Sequence, residues 1–309
     1  MSEAPKTVTR KQAKASINHF GRSLGFYILL PLIVYYGSDL FFARFPGTVY
    51  NYSQDILGLL VSALVLVIIP LTAFGLSSIF LHLRIGDYLK PAGITKTQQI
   101  TLNSIGAVIS ISLYAAMSAI GLSSFTKGIS YDYLGVFTSQ EKILCNVLYI
   151  LLFVFLKPIS DELIFRGIIQ RQLGHYGRYF GVLASAFLYA IAQTDIVMIV
   201  PAFFTGWFLS HITLKYHSIR PTIRISIFIQ IFYLVIQQIP ERMIWLSIIL
   251  IVMQFLLAGF GISRKALRLG FPMTGAGEWP LWKLLLTSSS ILICLFLFMI
   301  HIAAAFTLP

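Results

Sequence analysis

The chain has 309 residues, 57% of them hydrophobic and only 11% charged, with a formal net charge of +12. A soluble domain carries about 25% charged residues, so the composition excludes an ordinary soluble protein and indicates an all-α, polytopic transmembrane bundle. The apolar runs are about 20 residues long, enough to cross a hydrocarbon layer about 30 Å thick, and they lack the alternating segments of a membrane β-barrel.

Residues 1–22 read as a basic cytoplasmic tail, with Lys6, Arg10, Lys11, Lys14 and Arg22. The apolar run that follows has no small-residue cleavage site behind it, and is expected to be a retained first span. Residues 23–84 form the N-terminal transmembrane helices, with spans near Ser23–Ala43 and Leu57–Leu83. Pro91 and Gly93 break the polar loop that opens the central segment, residues 85–239. Spans are predicted there near Leu102–Ser123, from Ile143 onward, and at Tyr179–Thr194, Ile196–Leu214 and Pro221–Ile239. Pro158 is expected to bend the helix that starts at Ile143. Residues 240–309 hold C-terminal transmembrane helices, near Met243–Ile262 and Leu284–Phe306. The total is about eight or nine spans.

Loops that stay in the cytoplasm accumulate Lys and Arg. With the N-terminus inside, 19 of the 23 basic residues fall in inside segments, leaving only Arg44, Lys127, Lys142 and Arg242 outside. Because this positive charge is spread over all the inside loops and forms no single stripe, it excludes nucleic acid and favours anionic lipid headgroups as partners. Cys145 and Cys294 lie in or beside apolar runs without metal-type spacing, and read as small hydrophobic fillers.

Against this background Lys157–Gln172, KPISDELIFRGIIQRQ, stands apart. A charge at membrane depth costs about 2.5–3.5 kcal/mol on insertion scales, so it usually has a partner and a task. On a helix Glu162 and Arg166 share a face, acid first, the favourable order for an ion pair. Asp161 projects about 100° away. The plainer alternative is a helix end solvated by its charges. Tyr189 and Gln193, and then Ser226 and Gln230, repeat the four-residue spacing inside later apolar helices. Such side chains also serve as interhelical glue, contributing about 0.6 kcal/mol each.

The acidic pair with its Arg, an aromatic-x-x-x-polar pair and a polar-x-x-x-polar pair together resemble the CPBP family. That family includes CAAX prenyl endopeptidases and the "Abi" bacteriocin-processing or immunity proteins, and its motifs are E-E-x-x-x-R, F-x-x-x-H and H-x-x-x-N/D. Here DELIFRG at Asp161–Gly167 is the strongest correspondence. Phe203–Gly206 and Lys215–Pro221 resemble the approach to the third motif, and the resemblance spans roughly residues 85–235. It implies that Asp161, Glu162, Arg166, Gln193, Ser226 and Gln230 occupy the catalytic positions. In active relatives the glutamate and histidines activate water and stabilise the oxyanion, with a metal role in some accounts.

This sequence departs from that pattern. Asp161 replaces the first glutamate, Gln193 and Ser226 replace both histidines, and Gln230 replaces the Asn or Asp. Gln can offer an N–H to an oxyanion, but neither Gln nor Ser shuttles protons near neutral pH as imidazole does. His211 is the other histidine expected near the site. No metal or other cofactor is expected. The resemblance therefore implies a plasma-membrane protein, of bacterial type, with lost or altered protease activity, which binds or regulates a membrane or cell-envelope partner. The alternatives are an active endopeptidase cutting a membrane peptide with Glu162 or Asp161 as base, and a small-molecule transporter.

Overall fold

The computed structural model describes residues 10–43, 56–81, 86, 89–119, 143–193, 196–263 and 279–307. The loop with Tyr131–Tyr133 lies outside them. So do Lys6, Arg44, His82, Arg84, Lys127, Lys142, Arg264, Lys265 and Arg268. Among the described residues every extended element is helical.

Helix α1 runs Arg10–Ala43. Helix α2 comprises Ile56–Ala63, a wide π turn at Leu64–Ile68, and Ile69–Phe80. Helix α3 is Lys96–Ala119. Helix α4 is continuous over Ile143–Gly174, 32 residues. Then come α5, Arg178–Ile191, α6, Ile199–Tyr216, α7, Arg220–Gln238, and α8, Ile244–Ser263. Helices α9, Trp279–Leu286, and α10, Ser289–Thr307, complete the set.

Among the described residues five helices are long and apolar enough to cross a membrane: those containing Ala13–Val34, Leu59–Ile79, Lys96–Ala119, Ile143–Gly174 and Ile244–Ile262. The α9–α10 pair makes a sixth if taken as one span bent by 61°. Helix α5 has 14 residues, about 21 Å at 1.5 Å per residue, which is short of the hydrocarbon thickness. Helices α6 and α7 are long enough but carry polar side chains along buried faces, including Ser210, His211, Thr213 and Thr222. Among the described residues five spans, or six with the bent pair, thus stand where eight or nine were expected: α5 is too short, α6 and α7 carry buried polar faces, and the expected Leu284–Phe306 span is broken between α9 and α10. Helix α8 is the opposite case, with Ile244, Trp245, Leu256 and Phe260 all more than half exposed, as lipid-facing residues are.

Two apolar clusters organise the bundle. The first joins α1 (Ile17, Phe20, Leu24, Tyr27) to the second half of α4 (Ile164, Phe165, Ile168), α5, α9 and α10. The second joins α3 to α6, α7 and Ala258 of α8, through Leu102, Phe208, Ile225 and Ile229. Between them α4 runs through Pro158 as one continuous helix. Proline removes an N–H and crowds the preceding turn, and here the turn before it, Ile150–Leu156, is widened so that Lys157 N–H reaches back five residues to Leu152 O. A second π turn, Glu162–Ile169, closes with Gln170 N–H on Phe165 O. Such widened turns re-aim side chains and are frequent at functional sites.

Candidate functional site

The acidic pair straddles the start of that second wide turn, at the seam between the two clusters, and its two carboxylates diverge. Asp161, 5% exposed, faces the first cluster. Its Oδ1 accepts the Tyr27 hydroxyl from α1 at 2.8 Å, and its Oδ2 pairs with Lys157 one turn earlier. Lys157 Nζ also donates to the Tyr27 oxygen at 2.8 Å, which closes the triangle. Phe165 stacks edge-on against both Tyr27 and Tyr189, with centroids 5.9 and 5.0 Å away, and so holds the phenol in place.

Glu162, 1% exposed, faces the second cluster. Its Oε1 accepts Ser226 Oγ of α7 at 2.9 Å and lies 3.2 Å from Arg166 Nη1. Arg166 has no exposed surface, and its guanidinium carbon stands 4.5 Å from the Tyr189 ring centroid. A cation over an aromatic face is favourable, and more so when desolvated. Gly206 of α6 makes room for this stack, because a Cβ there would come within 3.1 Å of both Arg166 Nη2 and Tyr189 Cδ1. The frame is rigid: Ser185 Oγ donates to Phe165 O at 2.7 Å, and Gln170 Nε2 to Ser210 O at 2.7 Å.

The polar capacity of the pair is not used up. Glu162 Oε2 and all three Arg166 nitrogens make no hydrogen bond, the ion pair itself being too poorly aligned to count as one. Buried donors and acceptors normally find partners in protein or ordered water. Part of the hydrogen-bonding capacity of the pair is thus unused inside a sealed site.

The other motif positions lie apart from it. Gln193, half-buried at the end of α5, donates to Tyr189 O at 3.1 Å, within its own helix. Gln230 is half-buried one turn beyond Ser226. Among the described residues no hydrogen bond joins either glutamine to Glu162. His211 is buried on α6, one turn before Lys215. No three His, Cys, Asp or Glu side chains among the described residues come close enough to hold a metal ion. The donor set is a poor fit for one, since Asp161 and Glu162 point into separate networks and hard cations take six or more oxygens. Both cysteines are free thiols.

The sequence reading missed Tyr27 and Lys157. Lys157 had a signal, being four residues before Asp161 on the same helix face. Tyr27 had none, as one tyrosine in an apolar run 134 positions away.

Fold and site together define a helical membrane protein with a carboxylate–guanidinium centre sealed between two apolar clusters. Residues 143–232 match the family model described as Type II CAAX prenyl endopeptidase Rce1-like, within the CPBP family, and the match runs from α4 into α7. All three motif positions fall inside it. No curated protein and no solved structure matches the chain.

Proposed function

We propose that this is a multi-pass CPBP-type protein in which endopeptidase chemistry has been lost or altered, and whose polar centre serves to bind or regulate a membrane or cell-envelope partner. The observation that carries this reading is Ser226 Oγ donating to Glu162 Oε1. Where the family pattern has an imidazole able to exchange protons, this chain has a hydroxyl that hydrogen-bonds the carboxylate and cannot take its place as a shuttle near neutral pH. Gln193, at the other imidazole position, is bonded to its own helix. The charge count supports an N-terminus in the cytoplasm with anionic lipid contacts at that face. The family resemblance and the short loops support residence in a bacterial plasma membrane and a CPBP-like core that follows a basic tail and N-terminal helices and precedes the C-terminal helices.

One observation favours the second reading, an active endopeptidase. Glu162 Oε2 is open, and a carboxylate within hydrogen-bond reach of a water can act as its general base. Affinity purification from native membranes, wild type beside Glu162→Gln, separates the two. An intact protein partner retained in near-equal amounts by both forms is the expected outcome. Cleaved fragments with the wild type, and a full-length protein trapped only by Glu162→Gln, would establish proteolysis instead.

A further inference from the structure

The break between α9 and α10 lies outside the Rce1-like match, which ends in α7. Helix α10 has 19 residues, about 28 Å at 1.5 Å per residue, and an upright helix of that length crosses a hydrocarbon layer about 30 Å thick by itself. Helix α9 has eight residues, about 12 Å, and turns away by 61°. Along the α10 axis it therefore advances only about 6 Å. The headgroup layer on one side of a bilayer is about 5–7 Å deep, given about 40–45 Å in all around about 30 Å of hydrocarbon. Helix α9 fits within that layer.

The turn is fixed from inside the bundle. Thr287 N–H and Oγ1 both donate to Lys283 O, Ser288 N–H donates to Leu285 O, and the Ser288 and Ser290 hydroxyls donate to Asn18 Oδ1 of α1. Leu284 and Leu285 are buried in the first apolar cluster, and Trp282 meets Phe180 of α5 edge-on at 5.3 Å. Pro280, Lys283 and Leu286 are left exposed, three residues apart on one side of α9. A stripe that joins a cation to two apolar side chains is matched to the boundary between headgroups and hydrocarbon. Tryptophan concentrates at that boundary, and a lysine there lays its stem on apolar surface while its ammonium stays among the headgroups. Two more exposed cations stand at the same end of the bundle. Lys14 is one turn before Asn18 on α1, and Arg178 is two residues before Phe180 on α5.

We infer that α9 is an interfacial helix that docks on anionic lipid, with Lys283 at a lipid phosphate and Lys14 and Arg178 beside it, and that α10 alone makes the crossing. Anionic headgroups complement these three cations, and each basic side chain near such a surface strengthens association about fivefold. Through Trp282, Leu284 and Leu285 the anchor is joined to α5 and to the first apolar cluster. It thereby sets the depth at which that cluster lies in the membrane. The inference is independent of how the Glu162 centre is used.

The test is fluorescence quenching by brominated lipids, with the full-length chain in bilayer vesicles. The chain has four tryptophans, and Trp207→Phe, Trp245→Phe and Trp279→Phe together leave Trp282 alone. A control carries all four Trp→Phe changes with Phe296→Trp, at an exposed position of α10. Stronger quenching of Trp282 by bromines high on the acyl chain than by bromines near its end, with the reverse order for Phe296→Trp, supports the interfacial placement. Trp282→Phe in the otherwise unchanged protein should remove that shallow component, which checks the result without the triple variant. The lipid partner is read by exchanging brominated phosphatidylglycerol for brominated phosphatidylcholine. Preferential quenching by phosphatidylglycerol, weakened about fivefold by Lys283→Gln, supports the headgroup contact. Deep bromines quenching Trp282 as well as shallow ones would overturn the inference, by making α9 part of the span. Quenching by aqueous acrylamide and by neither bromine would overturn it too, by placing α9 in water. An equal response to the two headgroups, or no change in Lys283→Gln, would overturn the anionic-lipid assignment.

Discussion

Asp161 and Glu162 are neighbours in sequence, yet they inhabit different parts of the molecule. Asp161 joins α1 to α4 through Tyr27 and Lys157, and both its oxygens are engaged. Glu162 looks the other way, towards α7, paired with a wholly buried arginine and with one oxygen open. The helix itself makes the difference, since successive residues are rotated by about 100° and a consecutive acidic pair on a seam must serve both sides. One carboxylate is a fastening between helices, while the other keeps unused hydrogen-bonding capacity.

Removing Arg166 should break this division most severely. Arg166→Ala strands a buried carboxylate, and losing one partner of a buried pair costs about 3–5 kcal/mol. Denaturant unfolding in detergent would read it, and Arg166→Met combined with Glu162→Gln should recover most of the loss, because the pair then goes together. The two hydroxyl partners sharpen the contrast at smaller amplitude. Tyr27→Phe should cost about 1.5–3 kcal/mol, as a hydrogen bond to a charged group does. Ser226→Ala should cost about 1 kcal/mol, since it removes one hydrogen bond whereas Tyr27→Phe also takes an acceptor from Lys157. Equal costs, or a larger one at Ser226, would show that both carboxylates are fastenings.

The smallest effect belongs to the far end of α4. Burial, and then the nearby Arg171, push the His175 imidazole below its ordinary value of 6.5. In the window below about 6.5 the unfolded chain thus binds more protons at this position, so stability rises with pH across it and falls on acidification. His175→Gln should flatten that slope slightly.

Much of this was legible in the sequence. The helical membrane class followed from apolar run lengths, and the Glu162–Arg166 pair from a four-residue spacing that a helix turns into proximity. The divergence of Asp161 followed from the same geometry. What could not be read were encounters between distant segments. Nothing local announces that Tyr27 will meet Asp161, or that Gly206 makes way for a guanidinium stacked on Tyr189. Both depend on how α1 and α6 are set against α4. The widened turns around Pro158 were hidden too, because a proline in a helix is equally consistent with a bend. Gln193 shows the opposite limit: its spacing matched a motif, but the side chain folds back on its own backbone.

The pairing of α1 with α10 has a consequence for biosynthesis. Asn18 Oδ1 accepts Ser288 and Ser290 hydroxyls, Cys294 Sγ donates to Gly21 O at 3.2 Å, and Ile17, Phe20, Leu24 and Ile291 share the first apolar cluster. These partners are about 270 positions apart. While the ribosome is still translating the intervening helices, this side of α1 has no α10 to pack against and Asn18 lacks its serine partners. The first core can be sealed only when translation has passed Cys294, which makes the early nascent chain a natural client for insertion factors that shield polar helices.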